Sequence, residues 1–239
     1  PTGEFKDAFP DLPMPRQSYA RVVATVDSQI GRVLKQLEDS GIKDDTLIIF
    51  SSDNGHSEEN NKGVIVENHT SGYPLGYYYS ANGGGGYTGK WIGHKGDYLE
   101  GGVRVPMIIS YPKALPQGEV RDQVVTVMDW MPTLIDMIGL PKPKATLDGR
   151  SMLSILNNAT APTQHPVLYF DWQDKWAVRE GDWKLISLFN RTTKERSYTL
   201  HNLVEEHPEV KDHAKEHPAL VAHLKRMHAE WEKNVKPNR

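Results

Sequence analysis

The sequence predicts an α/β fold carrying a small antiparallel appendage. Three observations predict it. A long amphipathic helical stretch leads through a short loop into a short apolar run. A second apolar run of similar length follows a Gly-Gly turn. Past residue 160 the pattern changes to short aromatic-rich segments separated by turns. The first two form the alternation of helix and strand typical of α/β architecture, and the third reads as an antiparallel meander. The expected division is residues 1–160 as an α/β portion and residues 161–239 as a subdomain of meander and C-terminal helix.

Tyr19, Val22, Val23, Val26, Ile30, Val33, Leu34 and Leu37 recur at helical spacing and mark one face of a helix over about Arg16 to Ser40. Gly41 fits a left-handed cap at its end. Thr46 to Ser51 is a nearly continuous apolar run and predicts a buried parallel strand. A polar and glycine-rich excursion follows from Ser57 to about Gly96, with Tyr73, Tyr77, Tyr78, Tyr79, Tyr87 and Trp91, plus Gly83 to Gly86. Loops of that length inside a domain are functional or disordered. Met107 to Tyr111 predicts a second buried strand. Asp129 is placed to cap a helix whose first turn tolerates Pro132, with Leu134, Ile135 and Ile138 facing inward and Gly139 ending it. Asp148 to Ser151 opens another short helix. Val167–Trp172, Trp176–Arg179, Trp183–Phe189 and Ser197–Leu200 supply the meander. Pro218 opens a last helix with Leu220, Val221, Leu224, Met227 and Trp231 on one face.

Composition narrows the function. Of 239 residues 38% are hydrophobic and 25% charged, ordinary for a globular chain. The net charge of −3 offers no electrostatic reason for a nucleic acid or anionic lipid partner. There is no cysteine, which excludes disulfides, thiolate zinc sites and a cysteine nucleophile. Scarce disulfides in a chain of this size favour a bacterial source, periplasmic or secreted. No apolar run approaches the roughly 18 residues of a membrane span. Pro1 to Arg16 is polar and proline-rich, unlike a signal peptide, so the chain reads as a piece that starts part-way through a longer polypeptide.

Two places carry chemistry. Asp53 and Asn54 stand just past the end of the first predicted strand, the edge where ligand sites of open α/β sheets collect. A carboxylate beside an amide oxygen suits a hard cation such as Ca²⁺ or Mg²⁺, and Gly55 permits a turn that aims both side chains one way. Asp-Asn-Gly is equally a common turn, and two ligands fall short of the six to eight that Ca²⁺ takes. Lys95 lies in the run His94-Lys95-Gly96, where a small neighbour lets a cation approach an anion closely; its alternative is a solvated surface lysine. His56 follows the ligand pair and reads either as a pocket-lining proton donor or substrate contact, or as a surface histidine. His94 has a weaker case. Glu100 and Arg104 are four apart, but the Gly-Gly between them argues against a helix, so they are expected to brace a turn.

The ordered set is more specific than its parts. Helix, strand, Ser52-Asp53-Asn54-Gly55, then Lys95-Gly96 followed by Glu100-Gly-Gly-Val-Arg-Val-Pro106, strand, Val125-x-x-Met128-Asp129-x-Met131-Pro132-Thr133-Leu134-x-Asp136 and Leu147-Asp-Gly-Arg-Ser151 resemble the type I sulfatase family. The resemblance runs from about Tyr19 to the C-terminus and takes in Val178 to Leu185 and the degraded segment His201 to Pro208. It implies the C-terminal portion of an alkaline-phosphatase-like parallel-sheet sandwich, with a small antiparallel sheet plus helix appended. It also implies a sulfuric ester hydrolase acting on a sulfate ester, with sulfated carbohydrate favoured by the aromatic loop. Asp53 and Asn54 match half of the family's divalent-cation ligands, usually Ca²⁺, with Mg²⁺ as the alternative. Lys95 matches the lysine that grips a sulfate oxygen. The family's formylglycine arises from Cys or Ser in a Cys/Ser-x-Pro-x-Arg segment. Ser110-Tyr-Pro112-Lys-Ala114 ends in Ala and is rejected. The expected partner is therefore an N-terminal portion of the same protein that supplies the nucleophile and the remaining ligands, and the chain alone is expected to lack activity and to be stable chiefly when docked on that portion. The alternatives are a phosphodiesterase or phosphonate hydrolase of the same superfamily, and a non-catalytic glycan-binding derivative.

Overall fold

The computed structural model describes residues 3–12, 16–56, 65–66, 78–79 and 88–235. The chain divides into two compact units, Pro1–Ile109 and Ser110–Arg239.

In the first unit, α1 (Arg16–Asp39) ends as predicted: Gly41 takes φ 67°, and its N–H donates to Glu38 O while that of Ile42 donates to Leu37 O. A single 3₁₀ turn, Lys43–Asp45, leads into β1 (Ile48–Ser51). The short strands β2 (Ile65–Val66) and β3 (Tyr78–Tyr79) pair antiparallel. Tyr73, Tyr77, Tyr87 and Gly83 to Gly86 lie outside the described residues. The one-turn helix α2 (Glu100–Val103) precedes β4 (Met107–Ser110), which lies beside β1.

Two expectations fail here. β1 and β4 are not buried strands: Ile49, Phe50 and Ile108 are exposed. The helical stripe is open as well, since α1 buries no residue and Val22, Val26 and Val33 are exposed. Periodicity reports which face is apolar, not what covers it. Among the described residues nothing buries these faces. The second failure is local: Glu100 to Val103 is helical despite its two glycines.

The second unit is built around the meander. α3 (Trp130–Met137) and α4 (Leu153–Asn157) come first. Then β5 (Val167–Trp172), β6 (Lys175–Glu180), β7 (Trp183–Asn190) and β8 (Glu195–Asn202) form a sheet in sequence order, antiparallel throughout. α5 (Pro218–Val235) closes the unit. The register sets Val178 opposite Leu185 and Leu185 opposite Leu200, a cross-strand line on one face. Leu224 of α5, fully buried, packs on that line, with Leu220, Val221 and Met227 around it. Two ring pairs fasten the helix: Tyr169 stacks on Trp231 at 5.0 Å and Trp176 on His228 at 4.0 Å between centroids. Ile135 faces the core as predicted, but Ile138 is exposed, because α3 ends at Met137 and the chain turns through Gly139.

Asp129 does not cap α3 as expected: its side chain makes no bond to that helix's first turn and points back to Thr126, which is the N-cap of the preceding 3₁₀ turn. Its Oδ2 accepts the N–H of Thr126, closing a capping box. Its Oδ1 accepts the N–H of Arg150 and lies 2.7 Å from His165 Nε2. Thr133 Oγ1 donates to the Asp129 carbonyl and accepts the N–H of Met152. The two motifs 125–136 and 147–151 therefore meet at one buried carboxylate. Gly149 is required there, since a Cβ would sit 1.9 Å from the Met128 carbonyl oxygen.

Lys184 and Glu209 form an ion pair at 2.8 Å with both side chains fully buried. Removing one partner leaves a charge with no solvent. Lys184→Met is expected to cost about 3–5 kcal/mol in urea denaturation, and Lys184→Met/Glu209→Gln to recover part of that. Burial holds the His201 imidazole below its ordinary pKa, against the pull of the Lys211 carbonyl and the Glu209 and Asp212 carboxylates. The unfolded chain thus binds this proton first, and stability present above the ordinary value is lost as pH falls toward the folded one. Thermal melts should show the midpoint declining below about pH 6.5, with a smaller decline for His201→Asn.

Candidate functional site

The site is built at the end of β1 from backbone contacts. The strand continues past its last residue: Ser52 N–H donates to the Pro106 carbonyl, extending the β1–β4 pairing. Gly55 N–H then donates to Gly102 O at 3.0 Å, and Lys95 N–H donates to His56 O at 2.8 Å. These two bonds lay the segment 53–56 against the segments 95 and 101–102. The approach is possible only without side chains. A Cβ on Gly55 would lie 1.8 Å from Gly101 O, and one on Gly102 would lie 2.4 Å from His94 O. The Gly-Gly that argued against a helix is there for this close approach, with Gly101 N–H donating to Ile92 O at 2.7 Å.

Asp53 is exposed and Asn54 half-buried. Asp53 Oδ1 accepts the Asn54 N–H at 3.0 Å, Ser52 Oγ donates to Asn54 O, and Asn54 Nδ2 donates to Gly55 O at 2.7 Å. The last bond uses the amide's donor end and leaves its oxygen to act as an acceptor, on the residue next to the Asp53 carboxylate. That donor set is all hard oxygen and fits Ca²⁺ or Mg²⁺ rather than a thiophilic metal. It is part of a shell, not a whole one.

His56 is half-buried, and its Nδ1 is buried without a hydrogen-bond partner. A polar atom in that state is a place where a ligand or water completes the site. His94 packs edge-on to His56 at 6.4 Å, with its Nδ1 3.0 Å from Lys95 O and its Nε2 3.3 Å from Asp97 Oδ2. The Lys95 side chain is exposed. The structure thus brings Asp53, Asn54, His56, His94 and Lys95 to one strand end.

The brace expected of Glu100 and Arg104 is present, and Trp91 joins it. Arg104 binds the buried Glu100 carboxylate through Nε and Nη2, both at 2.7 Å, and its guanidinium lies 4.0 Å over the Trp91 ring. The spacing of Glu100 and Arg104 was visible; the part played by Trp91, nine residues earlier, had no local signal. Gly55→Ala is expected to destabilise by about 3 kcal/mol, because the methyl collides with backbone that cannot rotate away. Gly31→Ala, in open space within α1, is the control and should stabilise by about 0.5–1 kcal/mol in the same urea titration.

Comparison with known proteins gives the family. The sulfatase family model matches residues 2–140, and the model of the C-terminal region of N-sulphoglucosamine sulphohydrolase matches residues 91–234. An uncharacterized sulfatase of Schizosaccharomyces pombe is 28% identical over 230 residues, covering 86% of this chain and 41% of that protein. Arylsulfatase D of Homo sapiens is 34% identical over 152 residues, covering 63% of this chain and 23% of that protein. A solved Bacteroides thetaiotaomicron structure, described under the metabolism of multiple glycosaminoglycans, superposes with TM-score 0.67 at 22% identity, covering 93% of this chain and 47% of that one. The chain spans less than half the length of these relatives, and it belongs to the sulfatase family.

Proposed function

We propose that the whole protein hydrolyses sulfate esters, with sulfated carbohydrate as the substrate class, and that this chain supplies half of its metal and sulfate site. The observation that carries the reading is the pair of backbone bonds, Gly55 N–H to Gly102 O and Lys95 N–H to His56 O, that sets two hard oxygen donors and a cation at one strand end. Asp53 and Asn54 would hold a divalent cation, Ca²⁺ by donor chemistry and Mg²⁺ as the alternative. Such a cation, when bound, draws electron density from the sulfate oxygens. Lys95 is the proposed catalytic and substrate-binding residue: its ammonium holds a second sulfate oxygen and stabilises the charge that grows there in the transition state. His56, with its unpartnered buried Nδ1, contacts the substrate or the leaving oxygen.

The nucleophile, a formylglycine by family, and the remaining ligands belong to an N-terminal portion of the same protein. The open apolar faces of α1, β1 and β4 support that partner, since Val26, Val33 and Ile108 would otherwise meet water. Within this reading residues 1–160 belong to the α/β domain, residues 161–239 form the appended subdomain, and the protein works in a bacterial periplasm or outside the cell. Among the described residues no helix is long and apolar enough to cross a membrane.

The test uses the full-length protein with an aryl sulfate and a 6-sulfated sugar. Lys95→Ala is expected to lower kcat/KM by about 10²–10³. Asp53→Ala should act similarly and raise the calcium needed for half-maximal rate. Turnover that favours an aryl phosphodiester over the sulfate, or that survives Lys95→Ala, would overturn the assignment.

A further inference from the structure

A second cluster of donors lies in the other unit, within five residues of sequence. His213, Glu216 and His217 each present one ligand atom, all within 4.8 Å of one another. We propose that they form a zinc-class metal site, two imidazoles and one carboxylate with a water in the fourth position, that staples the turn before α5 to the sheet. The donor chemistry differs from that of Asp53 and Asn54. Imidazole nitrogens select a borderline transition ion, whereas the all-oxygen pair selects Ca²⁺ or Mg²⁺.

The geometry points this way on four counts. The backbone holds the donors in place: His213 N–H donates to Leu200 O of β8, and the N–H groups of Glu216 and His217 both donate to His213 O. Trp183 of β7 lies against both rings, 5.6 Å from His213 and 4.9 Å from His217 between centroids. His213 is nearly fully buried, and its Nδ1 sits 2.8 Å from Glu216 Oε2. Tetrahedral zinc separates such ligand atoms by about 3.4 Å, so the His213–Glu216 pair would open by about half an ångström and the remaining pairs, within 4.8 Å, would close by about 1.4 Å at most. Last, the other ring nitrogen of His213 faces a carboxylate: Nε2 is 2.8 Å from Glu205 Oε1, yet it is a buried nitrogen with no aligned hydrogen bond. A carboxylate behind the ligating imidazole is the usual outer partner of a metal-bound histidine, and the ion would fix the tautomer that donates to it.

Lys211 is the competing cation, with Nζ 3.0 Å from Glu216 Oε1 and 3.1 Å from Oε2. It does not block the site. Glu216 can turn Oε2 to the metal and keep Oε1 on Lys211.

The experiment is a Co²⁺ titration of the purified protein, followed by visible absorption, with Zn²⁺ displacement and metal content by mass spectrometry. One Co²⁺ per chain should give the intense bands of a four-coordinate ion, and Zn²⁺ should abolish them. His217→Ala and Glu216→Ala, both at exposed positions that leave the fold intact by circular dichroism, should weaken binding at least tenfold. Glu205→Gln should weaken it about tenfold. Asp53→Ala should leave the Co²⁺ bands unchanged, which separates this site from the proposed catalytic one. A six-coordinate aquo spectrum throughout, or bands that persist in His217→Ala, would overturn the proposal and leave His213 as an ion-paired histidine between two glutamates.

Discussion

Everything proposed for the first unit depends on a contact between two stretches of bare backbone. Gly55 meets Gly101 and Gly102 closer than any side chain allows. Sheet pairing brings β1 and β4 together, but pairing alone would leave the chain beyond each strand free to diverge. The bonds from Gly55 to Gly102 and from Lys95 to His56 carry the register two steps further and bring residues about forty apart in sequence to the same strand end. Beneath that contact, Glu100, Arg104 and Trp91 form a rigid stack of carboxylate, guanidinium and indole. Backbone sets the position, and charged pairs keep it from shearing.

The second unit solves a different problem. It has to hold a small sheet closed, and it does so with a continuous apolar line, Val178 to Leu185 to Leu200, capped by Leu224. Its buried polar groups are almost all satisfied by partners chosen from distant loops. Asp129 serves two such loops and its own turn at once, and Lys184 reaches Glu209 across twenty-five residues. A buried carboxylate with three donors is stabilising where a half-satisfied one would be costly.

The element order was legible because it rests on local rules. Periodicity marked α1 and α5, turn chemistry marked Gly41, Gly139 and Gly181, and aromatic alternation marked all four strands of the meander. Asp53, Asn54 and Lys95 were picked out by their place in the sequence and by likeness to a family, and the backbone bonds bring the segments that carry them together. What was not legible is what lies on the far side of each apolar face. The pattern of Thr46 to Ser51 is that of a buried strand, and Phe50 is exposed in this chain. Nor does sequence show that a carboxylate at 129 meets an imidazole at 165, because no local rule links residues thirty-six apart. Gly101 and Gly102 were misread for the same reason: their value lies in the partner backbone, which a single-segment reading does not contain.

The contact between His56 and Lys95 also fixes where the intervening excursion leaves the fold and where it rejoins. With both ends pinned, the entropy of closing that excursion depends only weakly on its length, about 0.6 kcal/mol for each doubling. Changes of length between the two pinned ends therefore cost little in chain entropy, but Trp91 and Ile92, just before the second end, hold Arg104 and Gly101 and are not free to change. Length is thus free to vary over one part of the intervening sequence, while its last few residues are tied to the strand end by contacts that length alone does not set.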